Sequence, residues 1–156
     1  LCLKKSNASQ KLQLLIAGDG ERKLMLEALA KELNIADRIV FTGLLEEKDL
    51  SGFINTLDIY VHATLGETMS TAMMQVMACK LPIVASDVLG VNNMIKHDVN
   101  GLLVPATKEA ELAEAILFLL DNPAAAANLA AAAYDFAINN YSNELMFERY
   151  KAVFAE

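Results

Sequence analysis

Short apolar runs alternate with amphipathic stretches along the whole chain, and this alternation constrains the fold more than any other feature. The apolar run Leu12–Ala17 stops at Gly18-Asp19-Gly20. Such a run predicts a strand buried on both faces. The helical pattern that follows places Leu26, Leu29, Ala30 and Leu33 on one face. Ile39–Gly43 reads as a second strand, about Glu46–Asn55 as a short helix, and Asp58–Ala63 as a third strand. A helix rich in Met and Ala is expected from about Ser70 to Cys79, followed by a strand over Pro82–Ser86. A short helix near Val91–Ile95 precedes a fifth strand, Gly101–Val104. Thr107 is expected to cap the next helix, with Glu109 and Glu111 in its first turn and Leu112, Ala115, Ile116 and Leu119 as its apolar stripe. Helices over about Ala124–Asn139 and Asn143–Phe154 end the pattern.

Strands alternating with helices in this way imply an α/β fold, a parallel sheet covered by helices on both faces. Ligands of such sheets bind beyond the carboxyl ends of the strands. The candidate site therefore lies among Gly18–Glu21, Gly43–Glu46, Ala63–Thr71, Ser86–Gly90 and Pro105–Thr107.

The 156 residues suffice for one domain with a sizeable core. With 54% hydrophobic and 21% charged residues, the chain is not disordered. It is apolar enough to imply a face that meets a partner. A net charge of -7 argues against a duplex nucleic acid partner. The lack of Trp, with only 6% aromatics, argues against a stacking platform for single strands. A small anion is still compatible, because backbone N–H groups can hold a phosphate in an acidic protein. Cys2 and Cys79 fit a reducing compartment, and neither has metal-ligand spacing around it. Cys79 is expected as a small buried thiol on a helix. No apolar run approaches the length of a membrane span. The chain opens on Leu1–Lys5, which reads as the end of a helix, so a piece of a larger protein is expected.

Gly18-Asp19-Gly20-Glu21-Arg22-Lys23 begins like a dinucleotide fingerprint, but Lys23 stands at the third glycine position. A tight strand-to-helix turn is the preferred reading. The stretch Thr64–Thr71 is more informative. It brings a carboxylate, Glu67, and small hydroxyl residues to a helix N-terminus, where N–H groups favour an anion. Thr71 and Gln75 share a helix face, and Gln75 lies eight residues beyond Glu67, roughly 12 Å along a helix axis. Met69, Met73, Met74 and Met77 are expected in the core. His62, at a strand end, faces either the ligand or the core, and His97 is expected to be solvated.

With these residues in view the stretch resembles the donor-site signature of the family-four retaining glycosyltransferases, glycosyl transferases group 1. That family carries two glutamates separated by seven residues, then an Ala-Met-Ala-x-Gly-x-Pro-Val-Val-Ala-Ser-like segment. Here they read Glu67, Gln75 and Met77–Ser86. Leu15–Gly20, Asp37–Gly43 and Asn100–Pro105 resemble other family blocks in the same order. Gln75 replaces the second glutamate, Ser70 a glycine, Met69 an aromatic residue and Lys80 another glycine.

The resemblance implies a Rossmann-like domain, the C-terminal half of a two-domain GT-B fold, over 1–156. The family's first strand, with its Arg and Lys for the diphosphate, and the N-terminal acceptor domain would precede Leu1. The implied activity is retaining transfer of a hexose-type sugar from a nucleoside diphosphate to a hydroxyl. The nucleotide sugar is substrate, and no cofactor or catalytic metal is implied. Glu67 would orient the sugar, and Thr68, Met69, Ser70 and Thr71 would face the diphosphate. Gln75 would meet the ribose, and Gly43, Leu44 and Leu45 would border the base. The implied location is cytoplasmic, free or at the inner face of the membrane. A nucleotide-sugar 2-epimerase of the same fold, or a non-catalytic binding module, stays open as an alternative.

Overall fold

The computed structural model describes residues 12–154. Cys2 and the helix end expected over Leu1–Lys5 lie outside them. The elements follow the expected order: β1 (Leu14–Ala17), α1 (Lys23–Glu32), β2 (Ile39–Gly43), α2 (Glu47–Ile54), β3 (Tyr60–His62), α3 (Thr71–Ala78), β4 (Ile83–Asp87), α4 (Val91–Met94), β5 (Leu102–Pro105), α5 (Glu109–Asp121), α6 (Pro123–Tyr141) and α7 (Asn143–Phe154). The chain forms two compact units, Leu1–Leu50 and Ser51–Glu156.

In the first unit β1 and β2 pair in parallel. Gly18 N–H donates to the Gly43 carbonyl at 2.8 Å, closing the ladder at its carboxyl end. Asp19 accepts from Gly20 N–H through its side chain at 2.8 Å, so Gly18–Gly20 is a tight turn into α1. The strand is not buried on both faces as its apolar run suggests: Leu14 and Val40 are both more than a third exposed. On α1 Ala30 is buried, whereas Leu29 of the expected stripe stays exposed.

In the second unit β3, β4 and β5 form a parallel sheet in that order. β4 is central and reads Ile83-Val84-Ala85-Ser86, all buried, which is why its sequence is continuously apolar up to the serine. One core cluster joins Met73, Val76 and Met77 of α3 to Ile83, Val91, Met94 and Ile95 and to Ala133 and Ala137 of α6. The small alanines let α6 approach α3 closely, and the flexible thioethers fill the space between. A second cluster sets Val84, Leu102 and Val104 against Leu119, Ala126 and Leu129.

Three local expectations need correction. Met69 is 54% exposed, because it precedes Ser70, the cap residue, and so lies outside the helical repeat that buries Met73 and Met77. Thr107 does not cap α5. It takes a left-handed φ of 66°, and Lys108 becomes the residue before the helix. His97 is exposed as expected, and its Nδ1 also accepts from Leu103 N–H at 3.0 Å, tying the turn to β5. Cys79 is half-buried and closes α3 rather than lying within it. Lys80 does adopt the left-handed φ, 55°, expected where the family has glycine. Its Nζ lies 4.4 Å from the Tyr134 ring centroid, a cation–π contact that offsets part of that strain. Among the described residues no single helix is long and apolar enough to cross a membrane.

Candidate functional site

The site builds from the carboxyl end of β3. Tyr60 and His62 are two residues apart on the strand and share a face. The chain then leaves the sheet through Ala63–Met69. Ser86, buried at the end of β4, accepts from Thr64 N–H at 3.1 Å and pins the loop's start. Thr64 Oγ1 donates to the Gly66 carbonyl at 2.8 Å and tightens the next turn. Gly90 holds the far side. A Cβ built there would stand 1.8 Å from the Glu67 carbonyl oxygen, so only glycine lets the two backbones meet.

Glu67 thus stands on a braced ledge. Its Oε1 accepts from Thr68 N–H at 2.9 Å, and its Oε2 lies 3.7 Å from His62 Nε2. Its side chain is 29% exposed, half-sheltered rather than solvated. Tyr60 OH lies 3.0 Å from His62 Nδ1. Burial and the Glu67 charge push the Tyr60 phenol above its ordinary value.

Ser70 is 5% exposed, and its hydroxyl accepts from Met73 N–H at 3.3 Å. It caps α3 through an oxygen lone pair, and its O–H is a further donor at the helix terminus. Thr71 and Gln75 are both exposed on α3, in keeping with a shared face. The helix begins only at Thr71, so the helical rise between Glu67 and Gln75 does not run over the whole interval. Thr68 N–H is directed at Glu67, which leaves residues 69–71 to offer backbone N–H groups to an anion. Gly43 ends β2 with a φ of 71°, followed by exposed Leu44 and half-buried Leu45; all three belong to the first unit. A cavity of about 110 Å³ lies at the sheet's carboxyl end, lined by Ala63, Ser86, Pro105, Thr107 and Lys108 among others. It joins three of the loops expected to carry ligand. Asn100, in one of the family blocks, is structural. It is buried, donates to the Met94 carbonyl and accepts from Lys96 N–H. Among the described residues no three His, Cys, Asp or Glu side chains converge on a metal position.

Sequence reasoning placed Gly90 in a candidate loop but missed its contact with Glu67, and it left His62 undecided. Gly90 follows Leu89 with no local mark of its contact, and that contact lies 23 residues upstream. His62 faces Glu67 because the loop folds back over the end of β3.

His62 gives a testable pH dependence. Burial pushes it below the ordinary histidine value of 6.5, and the Glu67 carboxylate acts in the opposite direction. The unfolded chain therefore takes up this proton before the folded one does. The His62 contribution to stability is constant well above about pH 6.5 and falls as the pH drops from there toward the folded pKa. The urea midpoint should decline as the pH falls below about 6.5, and His62→Gln should flatten part of that decline. An unaltered slope in the variant would assign the decline to other groups.

The fold and this site define a Rossmann-like α/β domain of the GT-B type, its C-terminal half. HepE of Anabaena, solved with UDP-glucose, superposes with a TM-score of 0.89 at 21% identity, over 99% of this chain and 43% of that one. The C-terminal domain of a glycosyl transferase group 1 family protein (LpcC) from Francisella tularensis superposes with a TM-score of 0.70 at 24% identity, over 78% of this chain and 63% of that one. The chain belongs to the glycosyl transferases group 1 family, whose model matches residues 2–136. An alpha-D-kanosaminyltransferase of Streptomyces kanamyceticus is 32% identical over 71% of this chain and 29% of its own length. The lipopolysaccharide core biosynthesis glycosyltransferase LpsD of Rhizobium meliloti is 28% identical over 90% of this chain and 40% of its own length. The chain therefore spans less than half the length of these two transferases.

Proposed function

We propose that the chain is the C-terminal, donor-binding domain of a retaining glycosyltransferase, acting with an N-terminal acceptor domain of the same protein. The observation that carries the reading is the Glu67 ledge. An acceptor-only carboxylate is held at the carboxyl end of β3, directly before the capped N-terminus of α3. That pairing suits a nucleotide sugar, with hydroxyls for the carboxylate and a diphosphate for the helix terminus. HepE, which holds UDP-glucose in its crystal structure, supports this substrate class.

Glu67 accepts hydrogen bonds from the donor sugar. The backbone N–H groups of residues 69–71 stabilise the charge that develops on the departing diphosphate. Gln75 meets the ribose. No metal or cofactor enters the proposal. The domain works in the cytoplasm, free or at the inner face of the membrane. An epimerase would share the fold and the carboxylate–histidine pair at the ledge, and the family match supports transfer.

The test is the stereochemistry of transfer by the full-length protein. An α-linked nucleotide sugar and a hydroxyl acceptor should give an α-linked product, read from the anomeric proton coupling. A β-linked product would overturn retention, and epimerisation without transfer would overturn the reading as a whole.

A further inference from the structure

Tyr60, His62 and Glu67 stand in a file, and the chemistry of its two ends fixes the middle. The Tyr60 and His62 rings stack, with centroids 5.9 Å apart and planes at 25°. The phenol oxygen is 3.0 Å from Nδ1. On the other side Nε2 is 3.7 Å from Glu67 Oε2. A neutral imidazole carries one N–H and one lone pair. If Nδ1 bore the hydrogen, the Nε2 lone pair would face an acceptor-only carboxylate. If Nε2 bears it, Tyr60 donates to Nδ1 and the N–H points at Glu67. Only the second arrangement suits all three groups.

His62 Nε2 is buried and has no hydrogen-bond partner. A buried donor in that state is costly, and 3.7 Å is too long to relieve it. Glu67 Oε2 is the acceptor it faces, and Oε1 is already tied to Thr68 N–H. Hydrogen bonds of this kind are often long before substrate arrives. We propose that His62, its tautomer set by Tyr60, is the positioning residue that closes on Glu67 Oε2 when a donor sugar occupies the site. This rests on the reading of Glu67 as the sugar-binding carboxylate.

The experiment is calorimetry on the full-length protein. The ligands are the best-bound member of a panel of UDP-, GDP- and ADP-sugars and the matching nucleoside diphosphate. His62→Leu should weaken the nucleotide sugar about tenfold and the free diphosphate by less than about twofold, because only the sugar contact depends on Glu67. His62→Gln keeps an N–H donor and should recover part of the loss. Ring-¹⁵N spectra of the wild type should show His62 as the Nε2–H tautomer, assigned by its absence in His62→Gln. Tyr60→Phe should mix the two tautomers. An Nδ1–H tautomer in the wild type, or equal weakening of both ligands in His62→Leu, would overturn the proposal. Glu67→Gln separates the two levels of argument. If it also fails to discriminate sugar from diphosphate, the reading of Glu67 itself is lost. If it discriminates and His62→Leu does not, only the role of His62 is lost.

Discussion

Gly90→Ala should cost about 3 kcal/mol or more, the sum of a left-handed backbone penalty and an overpacking term. Gly90 has a φ of 92°, and an added Cβ would stand 1.8 Å from the Glu67 carbonyl oxygen and 2.5 Å from its carbon. Both neighbours are backbone, so no side-chain rotation relieves the clash. The loop must lift, taking Glu67 with it. Gly52→Ala is the control. Gly52 lies within α2 with nothing within 4 Å of a built Cβ, and the change should stabilise by about 0.5–1 kcal/mol. Chemical denaturation of both variants reads the contrast. Wild-type stability in Gly90→Ala would show that this close approach does not exist in solution.

Glu67→Ala should behave in the opposite manner, leaving stability nearly intact and removing activity. The side chain touches little besides Thr68 N–H and the edge of His62, and it is partly exposed. Losing a charge-assisted bond to the donor is worth about 1.5–3 kcal/mol, or roughly ten- to more than a hundredfold in kcat/KM for transfer by the full-length protein. Unfolding curves on the same preparation distinguish this from damage to the fold. A folded variant with near-normal kinetics would make Glu67 an ordinary loop residue and would remove the basis of the proposed function. The two variants together ask whether the ledge is needed for structure at Gly90 and for chemistry at Glu67.

The order of elements was legible because each strand and helix leaves a local mark in the chain. Buried β4 reads apolar at every position, and α3 repeats its methionines at helical spacing. The errors arise where a local mark outruns its element. Met69 continues the spacing of Met73 and Met77 but stands before the cap, where the helical period has no meaning. Thr107 has the side chain of a cap, yet the turn before α5 demands a left-handed residue there. Ser70 was legible as a helix-terminus residue, and its hydroxyl oxygen caps the helix. The site was legible as a loop through resemblance and through the rule that sheets bind at their carboxyl ends. Its bracing was not. Gly90 against Glu67 and Ser86 against Thr64 are contacts over more than twenty residues, and nothing near either partner in the chain announces them.

Ala133 and Ala137 act as shims beneath α3. They are fully or almost fully buried and meet the face that carries Met73 and Met77. Their size sets the height at which α3 rides over α6. A bulkier residue at either position would raise the helix, and the cap and ledge at its N-terminus would tilt with it. The compliant methionines would absorb part of that movement before the core opened. Under the proposed function, drift in the alanines of α6 would then shift the ledge without any change at Glu67.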